Sequence, residues 1–292
     1  MRKLTIVLKY GRDIFFLYLF IGFISLLTQI KNLNIKDIRG FFSAYFRHLY
    51  DYTLNLLNGN FGMYNIGSNL RGIKDDIGLY AINSFELLII SLLVGIILSI
   101  IIGVVIATNK KKKSFSSGIL MFLSAIPDFI LVLLLQIAAI MLNRAAGADL
   151  VNIASYGEKE ALFLPLATMI IIPTVFLIKG VMNDTSLILS EEYIRTAVAK
   201  GLTRFTVIKH HLFSNLLIII KTDLVKMLSI SISNLFIVEY LYNIRGITRF
   251  LFNWNQYSVW MSGFIILVII YILLYLILSL AISAFRRLAV GE

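Results

Sequence analysis

The chain has 292 residues, 59% of them hydrophobic, with a mean hydropathy of +0.88, a formal net charge of +11 and no cysteine. Soluble domains lie nearer ~45–50% apolar, so the composition describes a polytopic membrane protein, and the lack of cysteine excludes disulfides and thiol chemistry. The basic residues sit in short segments between apolar runs, which argues for membrane orientation and against nucleic-acid binding; no glycine-rich loop ending in Gly-Lys-Ser/Thr occurs, so the chain is not expected to hydrolyse nucleotide itself.

Residues 1–13 carry Arg2, Lys3, Lys9 and Arg12, and the apolar run Ile14–Ile30 predicts a first span. At ~1.5 Å per residue it just crosses a ~30 Å core. It lacks a small-residue cleavage site and reads as a retained span, so 1–30 forms an inside segment plus the first transmembrane helix. Residues 31–83 are mixed, with aromatic Phe41-Phe42-Ser43-Ala44-Tyr45-Phe46 and turn-rich Asn58-Gly59-Asn60-Phe61-Gly62-Met63; they are placed outside, with the aromatic stretch either lying on the membrane surface or touching a partner. Residues 84–285 form the core and 286–292 an inner tail.

Asn83–Ala107 predicts the second span. Ser91, Gly95, Ser99 and Gly103 repeat every four residues and make one small-residue face for close helix approach. Lys110-Lys111-Lys112-Lys113 follows, a strong inside marker suited to anionic headgroups. Ser117–Leu142 predicts the third span, with Ile126-Pro127-Asp128-Phe129 near its middle. Proline removes a helix hydrogen bond, and an aspartate at that depth needs a cavity or a partner, so Asp128 is either a pathway residue or a packed carboxylate. Leu162–Val181 predicts the fourth span.

Residues 190–215, SEEYIRTAVAKGLTRFTVIKHHLFSN, are the longest polar interruption in the second half. Ser190 is expected as an N-cap with acidic residues in the first turn. Glu192–Lys200 is expected as a helix and Gly201 as its left-handed C-cap. Thr203 is expected to cap a second short helix through Val207, Ile208 and Lys209. Leu216–Tyr240 predicts the fifth span, whose Asp223 and Lys226 are spaced to pair. Trp260–Phe285 predicts the sixth, with Arg286 and Arg287 beyond it. The fold expected is therefore an all-α integral membrane protein of six transmembrane helices with a helix–Gly–helix loop on one side. With the N-terminus inside, the inner segments hold 14 Lys/Arg in 63 residues and the outer ones 10 in 90, which supports that orientation.

The run Glu192, Tyr193, Ile194, Arg195, Thr196, Ala197, Val198, Ala199, Lys200, Gly201, Leu202, followed by His211 and Asn215, resembles the cytoplasmic coupling loop of ABC-importer permeases, closest to the B-type subunits of the oligopeptide/dipeptide/nickel group. Arg195-Thr196-Ala197 stand where other importers carry Glu-Ala-Ala. Gly59-Asn60-Phe61-Gly62 is a weakened form of that group's external motif. The stretch Glu239 to Arg249, with Gly246, resembles its outer-gate element, although Arg245 and Thr248 replace a proline and a glycine; Gly246 alone reads as a turn. The resemblance implies a C-type sister permease, two ABC ATPases that bind ATP and Mg, an extracytoplasmic solute-binding protein, and no cofactor in this chain. It implies a bacterial cytoplasmic membrane protein with both termini inside, carrying peptides or related solutes, or nickel or metal chelates. A secondary transporter using Asp128, Lys179 and Glu239 is the alternative of another class, without the internal repeats that class leads one to expect. An enzyme is disfavoured: His48, His210 and His211 are the only histidines, and no metal spacing appears.

Overall fold

The computed structural model describes residues 2–29, 38–67, 69–157, 159–203 and 206–290. Along the chain run α1 (Arg2–Leu27), α2 (Ile38–Leu57), strands β1 (Met63–Ile66) and β2 (Asn69–Gly72), α3 (Ile73–Thr108), α4 (Lys110–Ala125), α5 (Asp128–Ala146), α6 (Phe163–Ser190), α7 (Glu192–Ala199), α8 (Phe213–Leu241), α9 (Ile247–Asn253) and α10 (Tyr257–Val290). A π-helical stretch, Val207–Leu212, leads into α8. Among the described residues five helical stretches are long and apolar enough to cross a membrane: Lys9–Leu27, Ile73–Thr108, Asp128–Ala146, Phe163–Ser190 and Tyr257–Leu288. The fifth expected span is α8, 29 residues long but interrupted by Lys221, Asp223, Lys226 and Glu239; it stands outside those five.

The third expected span is corrected. It is not one helix over Ser117–Leu142 but two, α4 and α5, broken at Ile126-Pro127. Pro127 adopts φ −59°, ψ 142° and heads α5; its ring and missing N–H stop α4, and the residue before a proline is driven out of helical geometry. Asp128 thus opens a helix rather than sitting mid-span. Two further helices are longer than apolarity suggested: α3 starts ten residues before Asn83, and α6 runs nine residues past Val181.

The chain forms two compact units. The first comprises residues 1–83 and 245–269. Its core joins Ile21 and Leu26 of α1, Tyr45, Leu49 and Tyr52 of α2, and Tyr257 and Met261 of α10. Gly22 lets α2 come close: a Cβ there would lie 2.8 Å from Leu49, and Tyr45 donates to the Leu19 carbonyl at 2.8 Å. The hairpin, absent from the sequence expectation, pairs Met63 with Gly72 and Ile66 with Asn69. It is turned by Gly67 at φ +62° and anchored by Tyr64, whose hydroxyl donates to Asp76 and whose ring meets Phe250 and Trp254. Residues 30–37 of the expected external segment lie outside the described residues.

The second unit comprises residues 84–244 and 270–292. Its centre is α6 packed along α8, with α4 and α5 against α6. Thr168 of α6 and Tyr242, just past α8, share a 2.9 Å hydrogen bond. The small-residue face of α3 packs as its spacing predicts. Ser91 and Ser99 are fully buried, and a Cβ on Gly95 or Gly103 would lie 2.8 Å from Thr174 or 2.5 Å from Val181 of α6. At the opposite end from Tyr242, Lys113 donates to Ser186 of α6 at 2.8 Å, so one member of the lysine run fastens α4.

Candidate coupling helix

The site begins where α6 ends. Ser190 is not the cap expected: it closes α6, its hydroxyl donating to the Leu187 carbonyl at 2.7 Å. Glu191 takes the capping place with extended backbone (φ −65°, ψ 147°) and no side-chain cap, and its carbonyl accepts from the amides of Ile194 and Arg195. At the other end the sequence rule holds. Gly201 adopts φ +83°. The Leu202 amide donates to the Ala197 carbonyl at 3.2 Å and the Gly201 amide to the Val198 carbonyl at 3.0 Å. These are the paired bonds of a Schellman cap, in which the glycine takes the left-handed position. A Cβ on Gly201 would meet nothing within 4 Å, so the backbone angle alone requires glycine there.

The eight residues of α7 are amphipathic. Ile194 and Ala197, three apart and so on one face, are buried on Leu189 and Val207. Ala197, expected among the contact residues, therefore faces inward. Glu192, Tyr193, Arg195, Thr196, Lys200, Gly201 and Leu202 are exposed. Thr196 bonds back to the Glu192 carbonyl at 3.0 Å. The two ends of the sequence pattern meet in space: Asn215 donates to the Tyr193 hydroxyl at 2.9 Å across 22 residues. His211 lies in the π-helical stretch, and its side chain is outside what is described. The second short helix expected after Thr203 is corrected. Thr203 does turn the chain, accepting from the Thr206 amide at 3.3 Å, but the following turns continue without a break into α8. Sequence reading missed Leu189 and Val207, which seat α7; the apolar pair Ile194/Ala197 was the available signal that some neighbour had to cover it.

The candidate pathway residues are more scattered. Asp128 is half-buried at the first turn of α5, where the helix dipole favours a carboxylate, and it forms no ion pair among the described residues. Glu239 is fully buried in α8 and accepts from Ser84 of α3. Gly246, read as a turn, lies at a bend with extended backbone (φ −110°, ψ 175°) ahead of α9, and the positive φ of this region belongs to Asn243 at 58°. Arg249 lies in α9. Of the polar pair expected on α8, Lys226 bonds Asp223 at 3.1 Å. Among the described residues no group of His, Cys, Asp and Glu is arranged to hold a metal ion.

Residues 83–289 match the family described as binding-protein-dependent transport system inner membrane component. The dipeptide transport system permease protein DppB of Bacillus subtilis is 27% identical over 205 residues, 68% of this chain and 64% of that protein. The oligopeptide transport system permease protein OppB of Mycoplasma genitalium is 29% identical over 175 residues, 58% of this chain and 43% of that protein. The chain thus spans a little under two thirds of the first relative's length and under half of the second's. Among solved structures, an inward-facing crystal form of the MetNI methionine ABC transporter shares the fold, with a TM-score of 0.50, 14% identity, and coverage of 74% of this chain and 97% of that one. With the family match running from within α3 to near the end of α10, and a short exposed helix held between the ends of α6 and α8, the chain belongs to the family of binding-protein-dependent transport system inner membrane components.

Proposed function

We propose that this chain is one of two permeases in an ATP-driven importer, a multi-pass protein of the bacterial cytoplasmic membrane with both termini inside. The observation that carries the reading is α7: two buried residues seat it, and Glu192, Arg195 and Thr196 on its polar face are exposed among the described residues. A cleft in a partner ATPase fits that face, with Arg195 and Lys200 as charged contacts and Glu192 in the first turn. ATP and Mg belong to the two ATPases. When they close, α7 moves with the cleft. Its seat on Leu189 and Val207, and the Tyr193–Asn215 bond, pass that motion to the ends of α6 and α8. The switching element is the packing of this chain against a C-type sister permease, repacked as rigid bodies. A solute-binding protein delivers cargo to the outer face, and peptides are the cargo the named relatives favour. Asp128, half-buried at the α4–α5 break and without an ion pair among the described residues, is assigned to the pathway.

The test is purification of the tagged full-length chain from its native membrane, with mass spectrometry of what accompanies it. A second permease and two Walker-type ATPases are expected. Recovery of the chain alone, stable and homogeneous, would overturn the reading. Asp128→Asn is expected to reduce uptake of cationic peptides more than of neutral ones; equal effects would return Asp128 to a packing role.

A further inference from the structure

We propose that the adjoining ends of α8 and α10 form a site for the phosphate-ester headgroup of an anionic phospholipid. Lys221 of α8 donates to Ser283 of α10 at 2.8 Å, which brings the first charged turn of one helix beside the last turns of the other. Arg286 reaches toward Ser214 at 3.5 Å. Between them lies an open cavity of about 390 Å³, lined by Lys221, Ser283, Arg286 and Arg287 with apolar Ile218 and Ile282. Among the described residues, three cations and no carboxylate line it. None of the three forms an ion pair among the described residues, and the acid on the same stretch of α8, Asp223, is engaged by Lys226.

Arg286 and Arg287 alone would be accounted for by the dipole at the end of α10. Lys221 is not: it is partly buried, with its ammonium turned into the same cavity. Converging like charges need an anion to offset them, and phosphate matches both the Arg fork and the Lys point charge. The surroundings select an amphiphile over a soluble ion. Ile218 on α8, and Phe285 and Leu288 flanking Arg286 and Arg287 on α10, are exposed, so a headgroup held by the charges leaves its acyl chains along an apolar surface. A basic pocket between transmembrane helices is the geometry that retains anionic headgroups.

The side of the membrane rests on the orientation proposed above; the lipid chemistry does not. Native mass spectrometry of the full-length chain with its co-purified partners, in micelles holding equal dioleoylphosphatidylglycerol and dioleoylphosphatidylcholine, tests it. Preferential retention of phosphatidylglycerol is expected. Arg286→Gln and Arg287→Gln are each expected to lower retention about fivefold, the equivalent of one surface cation. Arg286→Lys is expected to keep most of it, and Lys159→Gln, a change to a distant exposed cation, all of it. Equal retention of both lipids, or unchanged retention in the Arg286→Gln/Arg287→Gln double variant, would overturn the site. Displacement by excess inorganic phosphate would assign it to a soluble anion instead. Orientation is read separately: Leu288→Cys in the cysteine-free chain is expected to react with an impermeant maleimide only from the inner side. Labelling from outside would sink the orientation without touching the lipid result.

Discussion

Two short helices precede long ones in this chain, and they are built in opposite ways. In α9, seven residues long, Ile247, Thr248, Phe250 and Leu251 are all fully buried. Phe250 sits among Tyr64, Tyr80 and Trp254, with ring centroids 4.9–5.3 Å away. Gly263 leaves the space that Leu251 fills, since a Cβ there would collide with the Leu251 side chain. In α7, eight residues long, only Ile194 and Ala197 are buried. A short helix is marginal in isolation, so each needs a reason to persist. For α9 the reason is inside the chain. For α7 two buried residues, a glycine cap and the Tyr193–Asn215 bond hold the backbone, and the remaining face is exposed among the described residues. Burial thus separates a helix that completes a fold from one whose polar face stays exposed.

The sharpest way to break α9 is Phe250→Ala. Emptying a fully buried aromatic site costs about 3–5 kcal/mol, and the variant is expected to unfold at clearly lower temperature in detergent, with poor retention in the membrane. Near-normal melting would mean that α9 is not the wedge its burial implies. In α7 the equivalent weak point is conformational. Gly201→Val places a β-branched residue at φ +83°, at a cost of roughly 1–2 kcal/mol. Because nothing crowds the site, the expected result is a protein that remains in the membrane at near-normal level but loses ATP-coupled uptake. Gly201→Asn, which tolerates the left-handed region, is expected to keep a good part of it. Full uptake by the valine variant would show that the cap is dispensable.

What the sequence made legible was local. The Gly201 cap, the Asp223–Lys226 pair and the small-residue face of α3 each depend on spacing within a few turns, and spacing survives in a linear reading. The apolar runs also located the long helices. What escaped was decided by non-local packing or by competition between signals. Pro127 and Asp128 sit within a long, largely apolar stretch, and hydropathy cannot distinguish a kink from a break, so α4 and α5 read as one span. The hairpin Met63–Gly72 has little alternation; Tyr64, packed on Phe250 and Trp254, is the buried residue of its two strands, and Arg71 adds an ion pair to Asp76. Thr203 carries a start signal, but no stop follows before Leu216, so the expected second short helix merges with α8. In the candidate site, the exposed residues of α7 were legible as a pattern; the inward turn of Ala197 and the seat on Leu189 and Val207 depend on where α6 and the π-helical stretch arrive.

The comparison is sharpened by changes that cost the chain little. Asn215→Ala removes the bond to Tyr193 at an exposed site, worth about 0.5–1.5 kcal/mol. If α7 is the lever proposed above, melting is expected to fall slightly and uptake to drop more than melting, since the bond ties α7 to α8; Tyr193→Phe is expected to behave alike, and matched losses in both readouts would reduce the bond to ordinary stability. Arg195→Gln goes further. The Arg195 side chain is exposed and makes no hydrogen bond or ion pair among the described residues, so the change is expected to alter the chain's stability by no more than about 0.5 kcal/mol. If α7 is offered to an ATPase, the same change weakens co-purification of the ATPases and stimulation of their turnover by cargo. Here the smallest effect on the chain accompanies a large effect on the assembly, a combination that α9 with its buried face cannot produce. An Arg195→Gln variant with unchanged melting and unchanged ATPase recovery would show that the exposed face of α7 is only a solvated surface.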